Sequence, residues 1–399
     1  MERTSFILEL IGRMKEPRKF IQVVAGPRQV GKTTIIMQFL EKTKYDYISD
    51  SADAVSENVF EWLERLWTAA RLKLKNGSKE VLLVIDEVQK LSNWSEVVKK
   101  FWDEDTRKKQ NIKVILSGSS RLLLKQGLTE SLQGRFELIY VPHWSFSEMK
   151  KAFGFTLDEY IYFGGYPGAA NLIKNEKRWK NYLLDSIIET SISKDILMLT
   201  TITKPALLRQ LFDLGTAYSA HIMSFTKMLG TLTDAGNTVT LAHYLNLLEQ
   251  CGLLGGLQKY SGSKQRARSS SPKLQVYNNA LLTVMQNSTF KAVRAAPDTW
   301  GHFVESCVGA HLVNNATTQH YKVHYWRDGN NEVDFVVTDG KKLFALEVKS
   351  GAKATNHGME AFKQQYPNAK LYVVASKEFE SGSRIPLEQF LKLSPSELF

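Results

Sequence analysis

The chain has 399 residues, 43% of them hydrophobic and 23% charged, a composition that is typical of folded globular proteins and excludes wholesale disorder. Its length predicts two to four domains. It has no apolar run long enough to cross a bilayer and no signal-peptide pattern, and its two cysteines, Cys251 and Cys307, cannot alone form a disulfide framework or a zinc site. We therefore expect a cytoplasmic protein without a membrane partner.

The net charge favours polyanionic partners. Lys and Arg outnumber Asp and Glu by 52 to 41, which gives a formal net charge of +11. Such a surplus is typical of proteins that bind nucleic acid. A basic surface that is merely solvated explains the same number equally well, so the charge supports a DNA-binding hypothesis without establishing it.

The first 152 residues alternate between strand-like and helix-like segments. Amphipathic stretches separate short apolar runs, and this alternation predicts a parallel β-sheet covered by helices. The predicted strands are Phe20–Ala25, Tyr45–Ser49, Val81–Ile85, Val114–Ser117 and Leu138–Val141.

A phosphate-binding motif follows the first predicted strand. The segment fits the pattern G-x-x-x-x-G-K-[ST] and leads into an amphipathic helix, so its backbone N–H groups would face a β-phosphate at a helix N-terminus. Lys32 would reach the β and γ oxygens of ATP, and the Thr33 hydroxyl would bind Mg²⁺. The predicted nucleotide-binding residues are Gly26, Pro27, Arg28, Gln29, Val30, Gly31, Lys32, Thr33 and Thr34.

Two later strands end in polar residues that suit the same chemistry. Asp86 and Glu87 end the apolar run that starts at Val81. In P-loop ATPases the first acid of such a pair holds Mg²⁺ and the second polarises the attacking water. Ser117 ends the next strand, where its hydroxyl would orient that water or sense the γ-phosphate.

The remaining residues are predicted to form further modules after an ATPase domain at 1–152. Residues 261–273 are Ser-rich and basic and have no apparent core residue, which is typical of an exposed loop or linker. The predicted modules are a helical lid or connector at 153–200, a winged-helix-like domain at 201–262, a basic linker at 263–273 and an α/β domain at 274–399.

The winged-helix prediction depends on two short helices, a turn and a hairpin with a basic tip. The second helix would present Thr238, Thr240, His243 and Asn246 but no Lys or Arg, so its phosphate-binding face is weak. The positive charge lies instead at the hairpin, in Lys259, Lys264, Arg266 and Arg268. Contact with the DNA backbone and docking of a protein are both compatible with this pattern.

The C-terminal domain contains acids and a lysine at strand spacing. Glu332 and Asp334 share one face of a predicted strand, and Glu347 and Lys349 share one face of the next. A hairpin turn near 339–340 would bring the two faces together. Two acids and a lysine in this arrangement can bind Mg²⁺ and activate water against a phosphodiester.

The ordered set of motifs resembles the prokaryotic AAA-family ATPases that have a C-terminal DUF4143 domain. This resemblance implies an ASCE-type P-loop core, and it implies that Arg135 acts as an arginine finger or γ-phosphate sensor; an Arg that braces a helix–strand junction is the alternative. The matching segments, over about residues 18 to 350, are GPRQVGKTT, LLVIDEVQK, VILSGSSRLLL, ESLQGRFELIYVPHWSFSEM, GGYPGAA and SISKDIL.

The C-terminal pattern is similar to the core of PD-(D/E)xK restriction endonucleases and Holliday-junction resolvases. The similarity implies that Asp334 and Glu347 hold a second Mg²⁺ or Mn²⁺, that Lys349 lies beside the water, and that Glu305 is the acid of the helix. One departure is the segment 277–279, Tyr-Asn-Asn, where the family frequently has an acid. A paired structural network of the same charges is the alternative to a nuclease site.

These observations support three functional hypotheses. The first, which needs only the best-supported site, is an ATPase whose state is read by the later modules, acting on or with DNA. The second is an ATP-gated, resolvase-like nuclease. The third is a nucleotide-binding regulatory or interaction protein whose nuclease-like domain only binds. A homo-oligomer would follow if Arg135 acted on the nucleotide of a neighbouring subunit.

Overall fold

The computed structural model describes residues 2–55, 58–118, 131–197, 202–234, 236–262, 270–349, 357–375 and 384–399. The chain divides into two compact units, Met1–Val141 and Pro142–Phe399.

The N-terminal unit is built on a five-stranded sheet in which every pairing is parallel. The strand order is β2-β3-β4-β1-β5, and each of the five predicted strands is present. The strands are β1 (Ile21–Ala25), β2 (Asp46–Ser51), β3 (Val81–Asp86), β4 (Ile112–Gly118) and β5 (Phe136–Tyr140).

Helices cover both faces of this sheet, as its continuous apolar strands require. Apolar side chains on one side of each helix recur at helical spacing and pack on the strands. Helices α1 and α2 share one core cluster with the sheet, and α3 and α4 share another. These helices are α1 (Thr4–Lys15), α2 (Lys32–Lys42), α3 (Val59–Lys75) and α4 (Trp94–Arg107).

The strand order brings the predicted ATP site together at one edge of the sheet. Strand β4 lies between β1 and β3, with Ala25 opposite Gly118 and Ile85 opposite Leu116. Because all three strands run in the same direction, their carboxyl ends meet at this edge, where ligands bind in open α/β sheets. The predicted parallel α/β fold is therefore confirmed for this unit.

The C-terminal unit contains a seven-stranded mixed sheet of order β12-β11-β10-β9-β8-β6-β7. Strands β8, β9 and β10 are antiparallel, and the predicted turn at 339–340 joins β9 to β10 with Thr338 opposite Leu343. The strands are β6 (Leu254–Lys259), β7 (Lys273–Val276), β8 (Lys322–Asp328), β9 (Asn331–Thr338), β10 (Leu343–Lys349), β11 (Lys370–Ala375) and β12 (Arg384–Pro386).

Helices precede and flank this sheet. Helix α13 packs across β7, β8 and β10, and α14 packs on β9. The described helices are α5 (Phe146–Phe153), α6 (Leu157–Phe163), α7 (Glu176–Tyr182), α8 (Pro205–Ala217), α9 (Phe225–Thr231), α10 (Thr238–Gln250), α11 (Asn279–Val284), α12 (Phe290–Ala295), α13 (Pro297–Ala316), α14 (His357–Gln365) and α15 (Leu387–Phe390), with π-helical turns over Leu183–Ile188 and Ser191–Leu197.

The structure divides the second half of the chain differently from the sequence prediction. The helices and hairpin of the predicted winged helix occur in order as α9, α10 and β6–β7, but β6 also pairs with β8. The hairpin is thus an edge of the C-terminal sheet rather than a separate wing. Three residues of the predicted basic tip, Lys264, Arg266 and Arg268, lie outside the described residues.

The prediction that the linker contains no core residue is wrong at its last position. Lys273 begins β7, and none of its surface is exposed. A lysine after a Ser-Pro sequence is normally solvated, but here the pairing of β7 with β6 and the packing of α13 on β7 bury it. Position 273 therefore belongs to the core of the C-terminal unit.

Candidate functional site

Two glycines allow the phosphate-binding loop to take its path. A Cβ at Gly26 would lie 2.1 Å from the carbonyl oxygen of Val141, so no side chain fits there. Gly31 has a φ of +92° and is the N-cap residue of α2, a conformation that glycine adopts without strain. Helix α2 begins at the next residue, Lys32, with its N-terminus at the carboxyl edge of the sheet.

Lys32 is buried, and its ammonium group contacts the loop itself. Its Nζ donates to the carbonyl oxygens of Pro27 at 2.8 Å and Gly26 at 3.1 Å. Only 6% of its surface is exposed. A charged donor held in this way is aimed into the loop where the motif predicts the phosphates of ATP.

Asp86, the last residue of β3, accepts hydrogen bonds from the first turn of α2 and from β4. Thr33 Oγ1 donates to Asp86 Oδ2 at 2.7 Å, although the two residues are 53 positions apart. The Ser117 hydroxyl, at the end of β4, donates to Asp86 Oδ1, and the backbone N–H of Glu87 donates to the same oxygen at 2.9 Å. The hydroxyl and the carboxylate predicted to bind Mg²⁺ are therefore adjacent, and hard oxygen donors of this kind fit that ion.

Glu87 lies at the same edge, in a conformation that is uncommon for a non-glycine residue. Its φ is +53° and its ψ is +34°, which is the left-handed region. The side chain of Gln89, two residues later, donates from Nε2 to Glu87 Oε2 at 2.6 Å. Sequence reasoning did not identify Gln89, because its contact with Glu87 depends on the short 3₁₀ turn over Val88–Lys90.

The structure does not bring Arg135 to the phosphate-binding loop. Its carbonyl accepts from the N–H of Ile21, at the amino end of β1, whereas the loop follows the carboxyl end about 16 Å further along the strand. Its guanidinium donates to both carboxylate oxygens of Asp103 on α4, at 2.8 and 3.0 Å. This bidentate pair matches the bracing role that the sequence left open for Arg135.

The four predicted residues of the C-terminal site do come together. Lys349 Nζ donates to Glu347 Oε1 at 2.6 Å within β10. Asp334 on β9 accepts the backbone N–H of Val348 at 2.7 Å through Oδ2. Glu305 on α13 is joined to Asp334 through a residue that the sequence analysis assigned to the linker.

That residue is Lys273. Its Nζ donates to Glu305 Oε1 at 2.6 Å and to the backbone carbonyl of Asp334 at 3.1 Å, and it lies 3.9 Å from Asp334 Oδ1. It also lies 4.7 Å from the centre of the Phe335 ring, a cation–π distance. Lys273 therefore provides a buried positive charge between Glu305, the predicted helix acid, and Asp334, a predicted metal ligand.

The carboxyl groups of this cluster influence one another. Burial, together with the nearby charge of Asp334, raises the pKa of Glu347 to about 7. Burial and the charge of Glu305 likewise raise the pKa of Asp334. Burial opposes the charged form of Lys273, but Glu305 and Asp334 outweigh it and raise the pKa of the ammonium group. Lys273 is accordingly a cation at neutral pH.

The donor set does not fit a second divalent metal. Within the described residues, no group of three or more His, Cys, Asp or Glu side chains is arranged to hold a metal ion. Glu305 is paired with Lys273, Glu347 is paired with Lys349, and Asp334 already accepts a backbone N–H. The second Mg²⁺ or Mn²⁺ predicted for this cluster is therefore not supported.

The asparagines at 278–279 have structural roles. Asn279 is buried and donates from Nδ2 to the carbonyl oxygens of Ile161 at 2.8 Å and Phe303 at 2.9 Å. The Asn278 side chain accepts the N–H of Gly165 at 3.0 Å. The two amides thus join α6, α11, α13 and the Gly-Gly turn, a task for which a carboxylate has no donor.

The parallel sheet, the loop at its carboxyl edge and the contact between Thr33 and Asp86 define the N-terminal unit as a P-loop nucleoside triphosphatase. Residues 18–150 match the AAA domain family AAA_14, and residues 300–390 match DUF4143. Between them, residues 154–291 match DUF8612, a domain of unknown function. The chain therefore combines an AAA domain with a C-terminal DUF4143 domain.

Two known proteins are similar to this chain, and the solved structure among them supports the fold. An uncharacterized protein of Haemophilus influenzae is 21% identical over 404 residues, which cover 95% of this chain and 94% of that protein. The Walker-type ATPase PABY2304 of Pyrococcus abyssi is 13% identical with a TM-score of 0.50, over 71% of this chain and 95% of its own. Within the described residues, no helix is both long and apolar enough to span a bilayer.

Proposed function

We propose that this chain is a Mg²⁺-dependent ATPase whose hydrolytic cycle drives an action on or with DNA. In this proposal Lys32 binds the β- and γ-phosphates, Thr33 and Asp86 hold the ion, and Glu87 activates the attacking water. Ser117 positions the Asp86 carboxylate. Bound Mg²⁺ would neutralise charge on the transferring phosphate.

The observation that supports this proposal best is the 2.7 Å hydrogen bond between Thr33 and Asp86. These two groups come from the loop and from β3, and a hydroxyl beside a carboxylate at this edge is the pair that holds Mg²⁺ in P-loop ATPases. A chance match to the loop motif would not bring a second motif, 53 residues later, to the same place.

The contact between Gln89 and Glu87 adds a requirement to the mechanism. A carboxylate that accepts a proton from water must direct an oxygen towards that water, and Glu87 Oε2 is bonded to the Gln89 amide at 2.6 Å. In the proposed cycle the Glu87 side chain turns away from Gln89, or uses its other oxygen, when ATP and water are bound.

Replacement of Lys32 by Ala tests the proposal directly. We expect phosphate release from Mg-ATP to fall by at least about 100-fold, because a donor to the transferring phosphate is lost. Lys42→Ala is the matched control, since Lys42 lies on the same helix and pairs with Glu2 at an exposed position. Equal turnover in the Lys32 and Lys42 variants would refute the assignment of the site.

The action on DNA is supported by the net charge of +11 and by the outer face of α10. Thr238, His243 and Asn246 are exposed on that helix. A fluorescence-anisotropy titration of duplex DNA at increasing salt tests this part of the proposal. Binding through phosphate contacts weakens steeply with salt, and an unchanged response would exclude such contacts.

A second candidate function is a nucleotide-dependent regulatory or interaction protein that does not cleave DNA. The pairing of Lys273 with Glu305 favours it over an ATP-gated nuclease, because that pairing neutralises one of the acids of the predicted nuclease site. A cytoplasmic location is part of the proposal for both candidate functions. Assembly into a homo-oligomer is the remaining part of the proposal, and analytical ultracentrifugation with ATP tests it.

A further inference from the structure

The C-terminal cluster has the residue types of a metal-dependent nuclease site, but its acids are paired with lysines. Three carboxylates, Glu305, Asp334 and Glu347, lie with two ammonium groups, Lys273 and Lys349. A two-acid metal site needs an open position between its carboxylates, where a divalent ion can approach to about 2.1 Å from each oxygen.

Lys273 occupies the position between two of the three acids, Glu305 and Asp334. Its ammonium lies 2.6 Å from Glu305 Oε1 and 3.9 Å from Asp334 Oδ1. It also donates at 3.1 Å to the carbonyl oxygen of Asp334, so the backbone of β9 helps to hold it. A divalent ion between these two acids would lie within a few ångströms of a fixed positive charge.

The fold holds the ammonium in this position. Lys273 has no exposed surface, and its backbone is part of the β6–β7 pairing, opposite Leu257. Its ammonium also contacts the face of the Phe335 ring at 4.7 Å. Moving this side chain aside for a metal would require a buried charge to leave both of its carboxylate partners, which is unfavourable in the protein interior.

The other carboxylate oxygens of the cluster do not replace the metal ligands that face Lys273. Asp334 Oδ2 accepts the Val348 N–H at 2.7 Å, and Glu347 Oε1 accepts Lys349 at 2.6 Å. Among the described residues, Glu347 Oε2 is buried and has no hydrogen-bond partner. One such oxygen does not make a magnesium site, which needs several oxygen ligands in octahedral geometry.

We infer that Lys273 is a built-in cation that replaces the metal of the nuclease-like domain. The cluster is closed as an internal ionic network, it binds no divalent ion, and it cleaves no phosphodiester. Removal of the ammonium group would convert the same carboxylates into a metal site. This inference concerns the C-terminal unit and is independent of ATP hydrolysis at the P-loop.

Mn²⁺ titration followed by electron paramagnetic resonance tests this inference. The full chain is used without nucleotide and with Asp86→Asn, so that the P-loop does not contribute an ion site. We expect no stoichiometric Mn²⁺ binding by this parent protein, and we expect the additional Lys273→Met replacement to gain about one Mn²⁺ per chain. Adding Glu305→Gln to that variant should remove the gained ion. Lys291→Met, at an exposed position on α12, is the matched control.

Two outcomes would overturn the inference. One is Mn²⁺ binding by the parent protein that is lost on Glu305→Gln or Asp334→Asn. The other is a folded Lys273→Met variant that gains no ion. If that variant does not fold, the measurement on the parent protein still decides, because it needs no change at Lys273.

Cleavage assays supply an independent readout on the unmodified chain. Linear, supercoiled and four-way-junction DNA are incubated with Mg²⁺ or Mn²⁺, with ATP and without it. We expect no cutting above that of the Asp334→Ala/Lys349→Ala double variant. Cutting by the natural chain that disappears in the double variant would show that the cluster is catalytic and would refute the inference. The ATPase assay on the same samples reports separately on the P-loop.

Discussion

The two units of this chain each combine a buried lysine with acids that lie on neighbouring elements, and the two lysines bond to different partners. In the N-terminal unit, Lys32 donates to two backbone carbonyls of its own loop, while Asp86 is bonded to hydroxyls. In the C-terminal unit, Lys273 donates to a carboxylate. In the proposed mechanism, phosphate and metal replace partners of Lys32 and Asp86, whereas Lys273 and Glu305 neutralise each other.

The difference shows that residue types alone do not define a catalytic site. Carbonyl oxygens hold an ammonium group less strongly than a carboxylate does, because the pairing is not between opposite charges. A phosphate can therefore displace the carbonyl partners of Lys32, whereas a metal cannot easily displace Lys273 from Glu305. The predictions below test this contrast, beginning with the largest expected effect.

The first prediction concerns the P-loop site that contains Lys32 and Asp86. Glu87→Gln should lower ATP turnover by about 10²–10⁴-fold, because an amide cannot accept the proton of the attacking water. Affinity for a fluorescent ATP analogue should stay within a fewfold, since Glu87 contacts no phosphate in the proposed mechanism. Glu96→Gln, at an exposed position on α4, is the control. Turnover that survives in the Glu87 variant would assign the base elsewhere.

The second prediction concerns the C-terminal cluster, in which Lys273 is paired with Glu305. Lys273→Met should destabilise the C-terminal unit by up to about 3–5 kcal/mol, because it leaves two partly buried carboxylates without their cation. The double variant Lys273→Met/Glu305→Gln should recover part of that loss, since it removes one of the unpaired charges. Urea unfolding monitored by the fluorescence of the chain's tryptophans measures both values. A double variant no more stable than the single one would show that the loss comes from packing.

Every residue that we discuss at the P-loop site except Gln89 was named from the sequence, whereas Lys273 of the C-terminal cluster was not. The loop motif, the acids at the end of β3 and all five strands of the first sheet depend on local patterns, and the central strands β1, β3 and β4 are buried between helices. The three acids of the C-terminal cluster and Lys349 were also found, since two of its strands form a short hairpin.

Lys273 was missed for a physical reason. Its partner Asp334 lies 61 residues later in the chain, and its own surroundings are a Ser-rich, basic segment that predicts exposure. Only the pairing of β7 with β6, and the helix α13 that packs on it, bury this lysine. Long-range strand pairing of this kind leaves no periodic signal in the local sequence.

The third prediction follows from the raised pKa of Glu347, which is about 7. The folded protein holds this proton more tightly than the unfolded chain, so the stabilisation is present near pH 5 and is lost as the pH rises through 7. Glu347→Gln should remove a stability change on the order of 1–3 kcal/mol between pH 5 and 8. Urea midpoints across this range measure it, and identical pH profiles for both proteins would exclude the effect.

The smallest effect is expected at Arg135. Asp103→Asn removes its charged partner, and a pair that is one-third exposed contributes less than about 1 kcal/mol. Turnover of ATP should stay within twofold in this variant and in Arg135→Ala, because the guanidinium lies at the other end of β1. A large loss in Arg135→Ala alone, dependent on protein concentration, would instead support action on a neighbouring subunit.

The β6–β7 hairpin has a consequence for any attempt to study the DUF4143 segment alone. A fragment that begins at residue 300 would retain Glu305, Asp334 and Glu347 but would lose Lys273 and the strand that covers β8. Its acids would lack their internal counter-ion, and β8 would present unpaired backbone groups to other chains. Such a fragment should aggregate or acquire adventitious metal, and activity measured on it would describe the truncation rather than the intact protein.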